Sequence, residues 1–331
     1  MIGDINDKFY FLYERERLKV EKKLGKLLKD RNPASLYMPG SYILEGGGKR
    51  LRPLLVLFSS KAVNGKFSSA YNAAIAVELL HNFTLVHDDI MDNADKRRGR
   101  ITLHKKYDVN TAILVGDSLL SVAYESLLKD CNNIAQPVFA AFTKGLVEVC
   151  EGQSMDKDFE TKRNISIEDY ILMIEKKTAA MAEMCCKIGA LLGGGSYKEV
   201  KALSNFGKSI GIAFQIQDDL LDIIGDEKEF GKSVGGDLVE GKKTYLFLKA
   251  FETAKGEDKR KLQIVIDRKG IKQNEILSYR LLYEKLGVIE DAKVEIKRYT
   301  TKALKSIQVL QNEEDKDFFT WLANSLIKRN K

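Results

Sequence analysis

The residues best placed to do chemistry are aspartates that occur in two copies of one pattern, "DDIMD" at 88–92 and "DDLLD" at 218–222. At about 100° per residue, helix positions i, i+1 and i+4 fall within one arc, so Asp88, Asp89 and Asp92 share a face, as do Asp218, Asp219 and Asp222. Like charges at that spacing destabilise a helix by roughly 0.2–0.5 kcal/mol per pair, and each copy lies in an apolar stretch where partial burial adds to the cost. A compensating cation is expected. Carboxylates with no paired histidine suit a hard ion such as Mg2+, which keeps waters and shares its sphere with substrate phosphates. A single DDxxD is as easily a solvated face or a helix cap; two copies on apolar helices argue against that reading.

Permanent cations stand close by in sequence. Arg97 and Arg98 come just after the first motif, with Gly99 letting the chain turn, and arginine grips phosphate through a planar fork. Upstream, "GGGKRLRP" at 46–53 places Lys49, Arg50 and Arg52 at a helix start, where free N–H groups favour anions; the spacing of a Walker motif is absent. Lys177 and Thr178 in "EKKTAAM", Lys232 in "FGKSVGGD" and Lys242 in "EGKKT" complete the set. Any one of these alone would be read as a solvated lysine, and their recurrence is what gives them weight. His81, two helical turns before Asp88, is expected to contact phosphate for the same reason. Metal beside arginine and lysine implies an anionic, diphosphate-like substrate.

The elements that must position these groups read as helices. The 331 residues are 44% hydrophobic and 31% charged, enough for one large core or two ordinary domains. Only four prolines occur, and apolar residues recur at three and four, not two, so no strand is expected. "LRPLLVLFSSKAVNG" puts Pro53 in a first helical turn and Gly65 at an end. "SSAYNAAIAVELLHNFTLVHDDIMD" runs unbroken to the first motif. Further helices are predicted at about 109–130, 137–158, 167–192, 198–224, 242–255, 273–286, 290–310 and 315–329, with Ser166 and Asp169 forming a capping box at the start of the third. No Gly/Ser or Pro-rich linker divides the series, so residues 1–331 are expected to form a single all-α domain of long helices around a common interior.

Bulk properties exclude several classes. The balance of 54 Lys+Arg against 47 Asp+Glu gives +7, which fits an anionic ligand, whereas the acidic motifs would repel a nucleic acid. Cys131, Cys150, Cys185 and Cys186 show neither zinc spacing nor a disulfide framework. The first residues lack an apolar signal core, and no stretch reaches the roughly 18 uncharged apolar residues of a membrane span. A cytoplasmic protein with no membrane span is expected. The basic end "IKRNK" is expected to fray.

The ordered series "GGGKRLRP", "ELLHNFTLVHDDIMDNADKRRG", "TAILVGDSLL", "EGQSMD", "EKKTA", "FQIQDDLLDIIGD" and "GKSVGGDLVEGKKT" closely resembles the trans-isoprenyl diphosphate synthases, or polyprenyl synthetases. The resemblance covers about residues 40–250. It implies the isoprenoid synthase fold, an all-α bundle with the acidic helices facing each other across a deep central cavity, in a homodimer. By the same resemblance Asp88, Asp89, Asp92 and Asp218 hold Mg2+, three ions per site with Mn2+ a possible substitute, and Asp219 and Asp222 assist directly or through water. Arg97, Lys177 and Lys232 would clasp an allylic diphosphate (dimethylallyl, geranyl or farnesyl), aided by Lys242 or its neighbour Lys243. Lys49, Arg52, His81 and Arg98 would hold isopentenyl diphosphate. Thr178 and Gln215 would line the place where carbocation charge develops, with Gln153 and Asp156 nearby. Ile101 departs from the family in standing where a proline is common.

Product length should be set below the first motif. Phe83 lies about 7.5 Å from Asp88 along a helix axis, although Thr84 and Leu80 are nearer in helical phase. An aromatic there resembles the archaeal geranylgeranyl diphosphate synthases and implies a C20 product. The alternatives are a farnesyl or longer (C25+) synthase, a class I terpene cyclase, and a non-catalytic subunit of a hetero-oligomeric synthase. The full "DDLLD" and the basic "GGGKRLRP" argue against the last two.

Overall fold

Apolar spacing at three and four resolves into helices along nearly the whole chain in the computed structural model, which describes residues 5–225 and 234–327. They begin with α1 (Ile5–Leu27), α2 (Ala34–Leu44), α3 (Leu51–Lys61), α4 (Tyr71–Met91) and the short α5 (Leu103–Lys106). Then come α6 (Val109–Leu128), α7 (Ala135–Thr161), α8 (Ile167–Ile174), α9 (Ala180–Leu192) and α10 (Tyr197–Ile224). Later helices occupy Gly236–Val239, Tyr245–Thr253, Gly256–Arg268, Ile276–Lys285, Val288–Ser306 and Glu313–Ile327. Lys232 and the last residues of "IKRNK" lie outside the described residues.

Four departures from the sequence reading have local causes. Helices α1 and α2 carry no clear sequence signal, because α1 interleaves charges with its buried Phe9, Val20 and Leu24, and α2 runs through Pro39 and Gly40, which read as a stop. Gly256–Arg268, dominated by charge, is likewise absent from the predicted helices. The single helix expected over 167–192 is interrupted by a π-helical turn at Glu175–Ala179 between α8 and α9. The expectation of no strand fails at one place, a two-stranded antiparallel ribbon pairing Lys96 with Ile101 and Arg97 with Arg100. Its two central residues, Arg98 (φ 52°) and Gly99 (φ 75°), are both left-handed, the geometry of the tight turn whose twist matches a hairpin. The capping box is present: Ser166 Oγ accepts from Asp169 N at 3.0 Å, and Asp169 accepts from Ser166 N at 3.1 Å.

The described residues divide into two units. One comprises Met1–Thr143, Met184–Ser204 and Val309–Phe318. Its core is α4 against α6, where Ala73, Ala74 and Ala76 are fully buried and small enough for close approach. The Asp130 carboxylate accepts at 2.9 Å from Ala73 N, a donor that the first turn of α4 leaves open, and at 2.7 Å from the Asn72 side-chain Nδ2. Phe58 stacks on Phe318 with ring centroids 3.8 Å apart. Helix α6 is long and apolar enough to cross a membrane by composition, but it carries Asp117 and Glu125 and packs on α4. The other unit comprises Lys144–Glu183, Asn205–Gln308 and Phe319–Lys331, with Phe206, Phe247, Tyr283 and Phe319 in its core.

Candidate active site

The first acidic motif ends α4, and its three carboxylates meet different surroundings: Asp88 is half-buried, Asp89 buried, and the cap residue Asp92 exposed. Arg97 Nε donates to Asp89 Oδ1 at 2.6 Å. Burial pushes the Asp89 carboxyl above its ordinary pKa, and the Arg97 guanidinium works in the opposite direction. The ribbon that carries Arg97 and Arg98 is fastened at three points. Thr102 Oγ1 donates to Ala94 O at 2.7 Å, Tyr42 Oη donates to Ile101 O at 3.0 Å, and Arg98 donates to the carbonyl of Gly47 in the triple-glycine loop. Arg100, on the same ribbon, lies over the Tyr42 ring at 3.9 Å.

The "GGGKRLRP" cations separate by burial. Lys49 is exposed, and its carbonyl accepts from Tyr13 Oη at 2.6 Å. Arg50 is buried and holds the loop in place through Glu78 (2.6 Å), Glu21 (2.9 Å) and Leu44 O (2.6 Å). Arg52 Nη1 lies 3.1 Å from His81 Nε2. Burial, followed by Arg52, Arg98 and Arg97, holds the His81 pKa well below its ordinary value, so the neutral ring accepts from Arg52. Arg52, His81, Arg97 and Arg98 thus form one electropositive neighbourhood beside Asp89. Farther down α4, Leu80 is fully buried, while Phe83 and Thr84 are half-buried. The Phe83 ring sits edge-on to His87 at 4.6 Å, and α6 makes room for His87 at Gly116, where a Cβ would lie 2.8 Å from its Nε2.

The second motif, on α10, shows Asp218 half-buried, Asp219 buried and Asp222 half-buried. Asp219 accepts from Tyr170 Oη, from Gln215 Nε2 at 3.2 Å and from Tyr245 N at 3.2 Å. Asp222 accepts from Asp237 N at 3.1 Å. Burial first, and then the Asp237 carboxylate, push Asp219 up to about 7 and Asp222 up to about 6. Thr178 Oγ1 donates to Gln215 Oε1 at 3.0 Å, and Lys177 pairs with Asp156, one turn beyond the half-buried Gln153. Lys242 pairs with Glu240 at 2.7 Å and with Asp237 at 3.5 Å, whereas Lys243 donates to the carbonyl of Phe159. Of these two neighbours, Lys242 stands with the acidic cluster.

Two residues of this cluster escape sequence reasoning. Asp237 lies inside "GKSVGGDLVEGKKT", where the lysines on either side draw the attention and a lone aspartate carries no pattern. Tyr170 gives no signal, since a tyrosine four residues after a helix cap reads as core. As for a metal, no three acidic, histidine or cysteine side chains converge into a preformed ligand set among the described residues. The donors present are nonetheless carboxylates alone. Two of them are pushed upward by burial and by a neighbouring like charge, which fits a hard cation that completes its sphere with waters and phosphate oxygens.

The polyprenyl synthetase family model matches residues 33–282. A geranylgeranyl pyrophosphate synthase of Geoglobus acetivorans is 39% identical, covering 94% of this chain and 96% of that one. A geranylfarnesyl diphosphate synthase of Natronomonas pharaonis is 35% identical over 94% of this chain and 95% of its own. The crystal structure of geranylgeranyl pyrophosphate synthetase from Pyrococcus horikoshii superposes with a TM-score of 0.91 at 36% identity, covering 98% and 99% of the two chains. The all-α architecture, the acidic and basic clusters and these similarities agree: the chain belongs to the polyprenyl synthetase family, prenyltransferases that use divalent metal to bind diphosphates and condense isopentenyl with allylic diphosphates head to tail.

Proposed function

We propose that the protein is a cytoplasmic, homodimeric, single-domain Mg2+-dependent synthase of all-trans geranylgeranyl diphosphate. In this reading Asp88, Asp89, Asp92, Asp218 and Asp222 hold three Mg2+ ions, with Mn2+ able to substitute, and Asp219 supports them. The ions supply Lewis-acid stabilisation of the departing diphosphate when bound. Arg97, Lys177, Lys232 and Lys242 hold that same diphosphate. Because charge builds on its oxygens as the allylic C–O bond breaks, their attraction is greater in the transition state than in the ground state, and this difference is what accelerates the step. Lys49, Arg52, Arg98 and the neutral His81 orient isopentenyl diphosphate so that its double bond attacks the allylic carbon. The released diphosphate takes the proton lost afterwards. Gln215, fixed between Thr178 and Asp219, presents an oriented dipole where positive charge develops.

The observation that carries the reading is the interleaving of carboxylates with arginine and lysine at both motifs. The Phe83 ring, half-buried and braced by His87, favours a C20 product by blocking further growth, as do relatives named for geranylgeranyl diphosphate. The geranylfarnesyl relative favours a C25 product as the second reading. The test is to incubate the chain with Mg2+, isopentenyl diphosphate and each allylic primer, and to measure product carbon number. A C20 product, lengthened in Phe83→Ala, is expected. A C25 product would move the assignment to the second reading; a cyclic hydrocarbon without isopentenyl incorporation would overturn both.

A further inference from the structure

The π-helical turn Glu175–Ala179 carries Lys177 and Thr178, and π-turns inside α-helices tend to occur at functional sites. Two glycines from two other helices press on its backbone. A Cβ built on Gly152 of α7 would overlap Lys177 N and lie 2.6 Å from Lys177 Cα and 2.7 Å from Lys176 C. One built on Gly211 of α10 would lie 2.7 Å from Ala179 Cα and 2.9 Å from its Cβ. Nearly all of these are backbone atoms, which cannot rotate away as a flexible side chain does.

The spacing links each glycine to a partner of the turn. Asp156, which pairs with Lys177, stands four residues after Gly152 on α7. Gln215, which accepts from Thr178, stands four residues after Gly211 on α10, and Asp219, which accepts from Gln215, four residues further on. Residues four apart share a helix face. Each helix therefore offers one face with a bare patch that seats the turn and, one turn along, the polar group that receives its side chain.

We infer that Gly152 and Gly211 are positioning residues, a two-sided clamp that holds the π-turn so that Lys177 and Thr178 are aimed at the allylic substrate; this rests on the proposed prenyl-transfer function. A methyl group on either glycine would push the turn away by the overlap just given. The Thr178–Gln215 bond, at 3.0 Å, does not survive such a displacement, and the Gln215 amide then loses its fixed orientation toward Asp219.

Gly207 of α10 provides the control. A Cβ there would meet Ala182 O and lie 2.8 Å from Ala182 C and 2.9 Å from Glu183 N, the same kind of close approach but against the regular helix α9. The experiment compares Gly152→Ala, Gly211→Ala and Gly207→Ala by steady-state kinetics in both substrates, and by hydrogen exchange of the peptide spanning Glu175–Ala179. Gly152→Ala and Gly211→Ala are expected to reduce kcat/KM for the allylic diphosphate by about a hundredfold, the cost typical of a misplacement near 1 Å. KM for isopentenyl diphosphate stays within about twofold of the parent, and exchange in the turn accelerates. Gly207→Ala is expected to lower thermal stability while leaving both readouts near the parent's. If Gly152→Ala does not fold, Gly211→Ala, whose added methyl meets a less severe overlap, decides the question. Equal kinetic losses in all three variants, or unchanged exchange in the turn, would overturn the clamp. A parent protein without prenyl transfer would overturn the function instead, leaving the exchange data to judge the clamp by itself.

Discussion

The two acidic motifs carry three aspartates at the same spacing, yet their second aspartates meet different partners. Asp89 faces a permanent cation, Arg97, at 2.6 Å. Asp219 is surrounded by neutral donors, Tyr170 Oη, Gln215 Nε2 and Tyr245 N, with the Asp237 carboxylate as a further neighbour. The difference comes from the segment on the C-terminal side of each motif. After "DDIMD" a tight hairpin brings Arg97 back onto Asp89 and Arg98 onto the Gly47 carbonyl, whereas Asp237, later in the chain than "DDLLD", stands beside Asp219. Oriented dipoles stabilise a charge without cancelling it, so among the described residues Asp219 is held by hydrogen bonds where Asp89 is held by an ion pair.

The largest expected effect tests whether both motifs serve the reaction at all. Asp88→Ala and Asp218→Ala should each lower kcat by about two to three orders of magnitude, with the helical circular dichroism signal intact. Near-normal turnover in either variant removes that motif from the metal site.

Stability should separate the second aspartates. Asp219→Ala leaves the Tyr170 hydroxyl and the Tyr245 amide buried without their acceptor, at about 1–3 kcal/mol. Asp89→Ala frees Arg97, whose side chain is 38% exposed and can turn to water, so the loss should stay near 1 kcal/mol or below. Urea denaturation of the metal-free variants measures both, and equal losses would break the comparison.

The same contrast governs the pH dependence. In the folded state Asp219 titrates at about 7 and Asp222 at about 6, above the 3.8 of a free aspartate. A carboxyl raised on folding favours the folded state below its unfolded pKa, and that contribution is lost as pH rises through the folded value. The contribution of these two groups to metal-free stability should therefore decline between about pH 4 and 7. The rise in Tm caused by Mg2+ should be larger at pH 8 than at pH 5. A constant increment across that range would show that the second motif is not where the ion acts.

Much of this is legible in the sequence because helices and carboxylate spacing share one period. The aspartates at i, i+1 and i+4, the box at Ser166 and Asp169 and the long run ending at Asp92 all rest on local geometry. Three features are not legible, each for a tertiary reason. The ribbon at 96–101 needs Tyr42 and Gly47, more than forty residues upstream, to hold two-residue strands in place. The π-turn within 167–192 has ordinary helical composition, and the backbone that approaches it most closely belongs to Gly152 and Gly211 on other helices. Arg50 and Arg52, two positions apart, read alike until burial assigns the first to Glu21 and Glu78 and the second to His81.

The smallest expected effect sharpens the contrast between cation and dipole. Tyr170→Phe removes one hydrogen bond that lowers the Asp219 pKa, a change of about 1 kcal/mol or less than one pH unit. Asp219 would then titrate higher and be protonated over more of the range below pH 7. The acid limb of kcat/KM should move upward, so that the variant loses a few-fold near pH 6.5 and matches the parent at pH 8.5. Arg97→Gln removes the direct ion pair to Asp89, and should lower kcat/KM at pH 8.5 as well, where Tyr170→Phe matches the parent. A pH-independent loss in Tyr170→Phe would mean that the hydroxyl matters for packing alone, and that Asp219 is not the group whose ionisation limits activity in acid.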